Sequence, residues 1–398
     1  MQALEAHGKA PRRRRAWLLG LSAIVLVIVA AAVAYGLGKA SSGVHNGGGG
    51  GGGGGATSAT GTTPPKVAAV LSIRATSPAS GTQTAASNGD ISITFSSPVS
   101  LGSVTPTLTP AVAGTWVQPS PTTIRYDLAA PLIPSSSEVV SVPGGSTGIK
   151  GKDGGTLPAG TSFTFTVADG DTLRLQELLA ELGYLPLSFT AFGGASAPSS
   201  TAMPQFGSFA WRWPNFPATL TSLWTQGEQN VITKAAVMTF ENQNGLAVDG
   251  LAGPSVWSTL LADVAADKVD TAPYVYVLVS KVLPENLTLY NDGAAQYTNI
   301  PVNTGAPGAD TTDGTYPVFE HVTSSVMKGT NPDGTTYDDP AVPWASYFNG
   351  GDALHGFVRA QYGFPQSNGC VEMTVADAGM LWPLTPIGTL VTVVGPAS

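Results

Sequence analysis

The sequence contains a single cysteine, Cys370, and four histidines in 398 residues. One cysteine cannot form an intramolecular disulfide, and it cannot build a site that needs several thiolate ligands. Charged residues are also scarce at 11 %, against about 25 % in ordinary soluble proteins. The low charge favours short strands and many turns. We expect chemistry that uses neither a metal nor a cofactor.

Positive charge is nearly confined to the amino terminus. Residues 1–15 carry a net charge of +4, from Lys9 and Arg12–Arg15 against Glu5, whereas the whole chain carries −8, which leaves −12 on residues 16–398. Phosphate backbones are bound by clustered basic side chains. Nucleic acid is therefore excluded as an expected partner.

An uncharged run of 21 residues, Trp17–Leu37, follows the basic block. As a helix it would cover roughly 30 Å, the thickness of a bilayer core. We expect a cytoplasmic tail at 1–16, a transmembrane anchor at 17–38 and an extracytoplasmic linker at 39–66 that includes nine successive glycines. A cleaved signal peptide or a twin-arginine export signal is the alternative.

Residues 67–168 have the alternating pattern of a β-sandwich. Ile91, Ile93 and Phe95 alternate with polar residues, as Phe163 and Phe165 do. Together with the Ser-Pro-Ala-Ser-Gly segment at 77–81, this pattern resembles bacterial immunoglobulin-like spacer domains, which implies a stalk.

Residues 169–270 change to helical spacing. Leu175, Leu178, Leu179 and Leu182 define an apolar face, for which Asp171 is the expected N-cap and Gly183 the expected stop. Pro254 suits the first turn of another helix. With Leu-Gly-Tyr-Leu at 182–185 and Gly-Pro at 253–254, the region resembles small three-helix peptidoglycan-binding domains.

This helical region carries an insertion at about 187–229. Its aromatic side chains have two interpretations: they could stack on a sugar or peptide, or they could cover the helical core. The residues concerned are Trp211, Trp213, Phe216 and Trp224.

Residues 271–398 return to strand patterns, which predicts a mostly-β domain at the end of a multidomain chain. Asn291-Asp292-Gly293 predicts a hairpin turn, and Thr374 with Asp377 predicts the start of a short helix. Cys370 lies just before that helix.

Cys370 has two interpretations. Most free cysteines are small buried apolar residues. A nucleophilic thiol instead needs a neighbouring base, and His355 lies 15 residues upstream. Spacing alone leaves both possibilities open.

Five segments in this region resemble the catalytic domain of L,D-transpeptidases in their order and spacing. They are Asn-Thr-Gly at 303–305, Thr-Asp-Gly-Thr-Tyr-Pro at 312–317, His-Gly at 355–356, Ser-Asn-Gly-Cys-Val at 367–371 and Pro-Ile-Gly-Thr at 386–389. The resemblance implies a mostly-β sandwich or barrel-like fold. It also implies transfer of a peptidoglycan stem peptide through a cysteine thioester to an amine.

The resemblance further assigns roles to residues of this chain. It implies Cys370 as nucleophile, His355 as base and the Gly356 carbonyl as the group that orients the imidazole. It also implies backbone amides of Asn368, Gly369 and Cys370 around the oxyanion. The residues expected to contact the stem peptide are Ser367, Trp344, Tyr347 and Phe348, although the three aromatic ones could equally pack against the sheet.

Two positions differ from the commonest pattern of the family, which has histidine before the glycine and asparagine or arginine after the hydrophobic residue. This chain has Asn368 and Glu372 there. On a strand, Glu372 would share a face with Cys370 and disfavour its thiolate. We expect Arg359, the only Lys or Arg after Lys328, to pair with Glu372.

These observations predict a membrane-anchored L,D-transpeptidase whose folded domains lie outside the cell. Carbapenems, which acylate this family, are expected to acylate Cys370. Two alternatives stay open: an L,D-carboxypeptidase that trims stems, and an inactive wall-binding protein.

Overall fold

The computed structural model of the protein describes residues 70–102, 104–193 and 201–395. The predicted tail, anchor and linker at 1–66 lie outside these ranges. Within the described ranges, no helix has the length and apolar character needed to cross a membrane.

The first described region is built from nine short strands. They are β1 Ile73–Ser77, β2 Ile91–Phe95, β3 Val99–Ser100, β4 Thr107–Thr109, β5 Gly114–Ser120, β6 Thr123–Leu128, β7 Ser137–Val142, β8 Lys150–Gly151 and β9 Thr161–Thr166. The sheets have the orders β1-β2-β6-β5, β4-β7-β9 and β3-β8. Ile93 and Phe165, from two different sheets, share one core, which confirms the predicted sandwich pattern.

The second region contains four helices and a β-hairpin. Its elements are α1 Thr172–Glu181, β10 Leu187–Ala191, β11 Gly207–Trp211, α2 Ala218–Thr221, α3 Val231–Gln243 and α4 Pro254–Ala265. The Asp171 carboxylate accepts hydrogen bonds from two amides in the first turn of α1. Gly183 follows α1 at φ +86°, and Pro254 opens α4. The predicted start and stop signals are therefore confirmed.

The aromatic residues of the insertion pack into the protein. The rings of Trp211, Trp213 and Tyr274 lie edge-on to Phe216 at centroid distances of 6.2, 5.9 and 5.7 Å. Phe216 is only 6 % exposed. The arrangement favours the packing interpretation of these residues over an open stacking platform.

The third region is mostly β. Its elements are β12 Val275–Ser280, β13 Asn286–Asn291, β14 Ala294–Pro301, β15 Gly314–Pro317, β16 Glu320–Thr330, β17 Thr336–Asn349, β18 Asp352–Gly356, β19 Val371–Met373, α5 Val375–Leu381 and β20 Leu390–Val394. Asp292 and Gly293 take φ values of 49° and 75° in the predicted hairpin turn. Thr374 caps α5 by accepting from the Asp377 amide at 3.0 Å.

Two sheets enclose the core of this third region. One has the order β14-β13-β12-β20-β15 and the other β16-β17-β18-β19. Val277 and Val391 of the first sheet share a core with Leu354 and Val371 of the second. Because side chains alternate along a strand, the other face of β18 and β19 points away from this core.

The helical region and the third region share apolar contacts. Tyr276 and Leu390 belong to the core that α1, α3 and α4 form, and the Tyr276 hydroxyl donates to Thr219 Oγ1 at 2.9 Å. Gly388 lies so close to α3 that a β-carbon there would stand 2.0 Å from Thr239 Oγ1. The sheet that supports the third region therefore rests on the helical core.

A buried ion pair lies within the helical region. Arg174 Nη1 lies 2.8 Å from Glu177 Oε2, and neither side chain is exposed. The Glu177 carboxylate also accepts from the Gln205 amide at 3.0 Å, which connects α1 to the segment between β10 and β11 of the insertion.

We predict that Glu177→Ala lowers the free energy of unfolding by about 3–5 kcal/mol, because it removes a carboxylate partner from a buried guanidinium. Urea denaturation followed by tryptophan fluorescence measures the loss. Asp338→Asn is the control, since it breaks the Lys328–Asp338 pair, whose side chains are 63 % and 59 % exposed. Equal effects of the two substitutions would contradict the prediction.

Candidate functional site

The pairing of β18 with β19 brings Cys370 and His355 to one face of a sheet. The strands run parallel, with Leu354 opposite Val371 and His355 opposite Glu372. Leu354 and Val371 point into the core. His355 and Glu372 therefore share the opposite face, and Cys370, two residues before Glu372, points the same way.

A cavity of about 220 Å³ lies on that face. The residues of its lining that bear on the chemistry are Cys370, His355, Asn368, Arg359, Glu372 and Asp339. The thiol and the imidazole predicted to act together thus meet in one cavity. Within the described residues, no group of three His, Cys, Asp or Glu side chains could hold a metal ion.

The His355 imidazole is held by its own strand. Its Nδ1 lies 3.1 Å from the Gly356 carbonyl oxygen, and the residue is 2 % exposed. With a proton on Nδ1 donated to that carbonyl, the Nε2 lone pair is free to accept another proton. Burial lowers the pKa of His355 below its ordinary value, because desolvation penalises the charged imidazolium.

The Cys370 thiol is also largely desolvated, although part of the residue reaches the surface. Burial raises the pKa of Cys370 to about 12, and the charges of Asp352 and Glu372 act in the same direction. The sulfur lies 3.6 Å from the Gly351 carbonyl oxygen. At neutral pH the site therefore holds a neutral thiol beside a neutral imidazole.

The loop that carries Cys370 is fixed by two hydroxyl groups. Ser367 Oγ donates to the Cys370 carbonyl at 2.6 Å and accepts from the Gly369 amide at 3.2 Å. Thr311 Oγ1 donates to the Gly369 carbonyl at 2.7 Å. These contacts hold positions 367–370 in one conformation.

Two expectations need correction here. Ser367 is 2 % exposed and bonds within its own loop, so it positions that loop and does not face a substrate. The Gly369 amide already donates to Ser367, so it is not free to hold an oxyanion. The amides of Asn368 and Cys370 stay the predicted donors.

Only glycine fits at position 369. Its φ is +110°, and a β-carbon there would stand 2.4 Å from Asp352 Oδ1. Burial raises the pKa of that carboxyl to about 6. Gly369 thus allows the loop to approach β18 closely enough to place Cys370 beside it.

Asn368 joins the loop to a hairpin that covers the cavity. Its Nδ2 donates to Asn331 Oδ1 at 2.6 Å, and Asn331 lies at the tip between β16 and β17. The turn residues Pro332, Asp333 and Gly334 indicate such a tip in the sequence. Sequence reasoning missed its contact with Asn368, because no local pattern encodes it.

Arg359 pairs with Glu372 as expected. Its Nε and Nη2 lie 2.8 and 2.7 Å from the two carboxylate oxygens, a bidentate arrangement. The guanidinium also lies 4.6 Å from the centre of the Phe357 ring. The negative charge beside Cys370 and His355 is therefore compensated within the cavity.

The three aromatic residues expected to contact a stem peptide lie in different places. Phe348 is 3 % exposed in the core between the sheets, so the expectation that it contacts substrate is wrong. Trp344 packs towards Trp382 at 5.6 Å and does not line the cavity, which corrects the same expectation for this residue. Tyr347 does not line the cavity either, and its hydroxyl shares a 2.7 Å hydrogen bond with Ser325. Burial, with a smaller contribution from Cys370, raises the pKa of Tyr347.

Two families match this chain. The YkuD L,D-transpeptidase catalytic domain matches residues 274–393, and the bacterial Ig-like domain matches residues 62–167. Neither match covers the helical region, so its binding to peptidoglycan stays a prediction. A comparison with curated proteins found no match.

Several solved L,D-transpeptidases are similar to the chain at low identity. One from Mycobacterium smegmatis is 11 % identical, with 82 % of this chain and 100 % of that chain covered and a TM-score of 0.28. L,D-transpeptidase 3 from Mycobacterium tuberculosis, in complex with a faropenem-derived adduct, is 14 % identical, with 81 % and 97 % covered and a TM-score of 0.28.

A third structure covers a smaller share of the chain. The catalytic domain of the E. faecium L,D-transpeptidase, acylated by ertapenem, is 24 % identical, with 31 % of this chain and 100 % of that chain covered and a TM-score of 0.27. These values are too low to transfer residue roles. The two family matches, in contrast, coincide with the third and first described regions, and so this chain contains a YkuD-family L,D-transpeptidase catalytic domain preceded by a bacterial Ig-like domain.

Proposed function

We propose that this protein is a membrane-anchored L,D-transpeptidase that forms peptidoglycan cross-links by acyl transfer through Cys370. The observation that carries the proposal is the shared cavity of Cys370 and His355. The imidazole is oriented through Nδ1 by the Gly356 carbonyl, which leaves Nε2 to take a proton. A thiol and an oriented base are what nucleophilic acyl transfer requires.

The first half-reaction forms a thioester. His355 Nε2 takes the thiol proton as Cys370 Sγ attacks the carbonyl carbon of the third residue in a donor stem. Amides of Asn368 and Cys370 stabilise the developing oxyanion. The intermediate collapses with cleavage of the C–N bond, and the leaving amine of the terminal D-alanine takes the proton from His355.

The second half-reaction transfers the acyl group. An amine of a second stem attacks the thioester carbonyl and loses a proton to His355. The C–S bond breaks, and the Cys370 thiolate recovers its proton from the imidazolium. One peptide bond is broken and one is formed, so the cycle needs no oxidant, reductant or cofactor.

The resting charge state follows from burial. Because the pKa of Cys370 is raised to about 12 and that of His355 is lowered, the proton leaves the thiol during attack on the carbonyl and not before substrate binds. Neutral imidazole is the active form of the base. Activity therefore falls as pH decreases through the pKa of His355, which lies below its ordinary value of 6.5.

The environment of Glu372 argues against an inactive wall-binding protein. An unpaired carboxylate there would oppose thiolate formation, whereas the bidentate contact with Arg359 compensates its charge. Asp339 also lines the cavity. An acidic lining favours approach of an amine acceptor, which supports cross-linking over hydrolysis.

We place the folded regions on the extracytoplasmic side of the cell membrane, in the cell wall. The support is the uncharged 21-residue segment behind a block of four arginines at 12–15. The linker at 39–66 and the Ig-like domain would then separate the catalytic domain from the bilayer.

We predict that a carbapenem acylates the full-length protein once, at Cys370. Intact mass spectrometry should show one covalent adduct on the wild type and none on Cys370→Ala. His355→Ala should slow acylation by about 100-fold or more, the usual contribution of a general base. His321→Ala is the matched control, because that imidazole stacks on Trp382 at 3.9 Å, does not line the cavity and should leave the rate unchanged.

We predict that Arg359→Gln slows alkylation of Cys370 by iodoacetamide about threefold to tenfold at pH 8, because uncompensated Glu372 raises the thiol pKa further. The single cysteine makes total alkylation a direct measure. The double substitution Arg359→Gln with Glu372→Gln should restore the wild-type rate. Identical rates for Arg359→Gln and wild type from pH 7 to 10 would contradict the compensation.

Deletion of the gene separates cross-linking from trimming. We predict that the wall of the deletion strain loses cross-links made through the third residue of the donor stem. Mass analysis of digested wall measures them, and a Cys370→Ala strain should match the deletion. Unchanged cross-links with fewer free tripeptide stems would instead identify a carboxypeptidase.

A further inference from the structure

Arg359 is the one Lys or Arg among the residues described as lining the cavity of Cys370 and His355. Asp339 and Glu372 line the same cavity. A substrate carboxylate entering this space would be repelled by Asp339, whereas the charge of Glu372 is compensated by Arg359. The Arg359 guanidinium is the group able to attract it.

The guanidinium is held in a fixed orientation. Nε and Nη2 bond the two oxygens of Glu372, and Phe357 lies 4.6 Å away against its face. Among the described residues, no hydrogen bond uses Nη1, and the side chain keeps 30 % of its surface exposed. One edge of a rigid guanidinium thus remains available to a ligand.

The strand register gives the order of the three functional groups. Cys370 lies immediately before β19, two residues before Glu372 in the chain, and His355 is paired with Glu372. The thiol therefore comes first, and the imidazole lies towards the Glu372–Arg359 pair. A leaving amine that takes its proton from His355 must lie on that side of the sulfur.

The leaving group itself carries a carboxylate. In a terminal amino acid, the carboxylate carbon lies about 2.5 Å beyond the nitrogen. A guanidinium–carboxylate hydrogen bond adds about 2.8 Å. His355 and Arg359 line the same cavity, so a leaving residue whose nitrogen lies beside His355 carries its carboxylate into the space that Arg359 lines.

We propose that Arg359 binds the terminal carboxylate of the donor stem peptide, and that Glu372 positions its guanidinium for this contact. The inference rests on the proposed function and names the residues that recognise the free carboxylate of its donor. Glu372 thereby acts on the substrate through Arg359. The departure from the commonest family pattern at position 372 becomes part of donor recognition.

The test compares two synthetic donor tetrapeptides that differ only at the carboxyl terminus, one a free acid and the other a carboxamide. The full-length protein is assayed with an amine acceptor, and release of D-alanine or D-alaninamide is measured by mass spectrometry. We expect kcat/KM for the free acid to exceed that for the carboxamide by about 10- to 100-fold, mainly through KM.

Three variants distinguish binding of the donor carboxylate by Arg359 from compensation of the Glu372 charge. The double variant Arg359→Gln with Glu372→Gln keeps the pair neutral but removes the guanidinium. Its ratio of kcat/KM for the free acid to kcat/KM for the carboxamide should fall to about threefold or less. Glu372→Gln retains the guanidinium and should keep a clear preference for the free acid. Lys328→Gln is the matched control, because it removes one positive charge from an exposed pair in the same domain and should keep the full preference.

Each outcome has a defined meaning. Turnover of both donors without preference in the wild type overturns the role of Arg359 and leaves the proposed function intact. An undiminished preference in the neutral double variant also overturns it. If the wild type turns over neither donor, the proposed function is overturned, and this inference is overturned with it.

Discussion

The parallel pairing of β18 with β19 is the contact on which the rest of the site depends. It places residues that are 15 positions apart in the chain side by side, because the short β19 lies along β18 with His355 opposite Glu372. Leu354 and Val371 anchor one face of this pair in the core, so the other face is left to His355 and Cys370. Gly369 permits the close approach, since its φ of +110° is a backbone conformation that other residues rarely adopt.

Ion pairing and burial together determine the charge state of the groups in this cavity. Glu372 would hinder a nucleophilic thiol if it stood alone, but Arg359 binds both of its oxygens. Burial leaves the thiol and the imidazole neutral at rest, with the pKa of Cys370 raised to about 12. Under the proposed function, the proton moves only when a substrate carbonyl is present, which protects a lone cysteine from unproductive reactions with oxidants.

The supporting scaffold extends beyond the catalytic domain. Tyr276 and Leu390 are shared with the helical core, and Gly388 touches α3. The aromatic residues of the insertion take part in the same packing, with Phe216 at the centre of the ring contacts. The sheet of Tyr276 and Leu390 in the catalytic domain is consequently supported by the neighbouring region.

The sequence alone determined features that depend on local chemistry. Asp171, Gly183, Pro254 and Thr374 predicted helix ends because capping and turn preferences act over a few residues. The ordered motifs around His355 and Cys370 predicted the catalytic domain that the family match shows. The Arg359–Glu372 pair was also foreseeable, since an acidic residue on that strand had one possible basic partner nearby.

Tertiary structure decided the contacts between segments distant along the chain. The bond from Asn368 to Asn331 and the burial of Phe348 depend on how two hairpins and two sheets meet. The sequence also did not reveal the role of Ser367, because its hydroxyl donates to the Cys370 carbonyl within the same loop. Residue types and spacing specify which groups are available for chemistry, whereas packing alone determines which of them face the cavity.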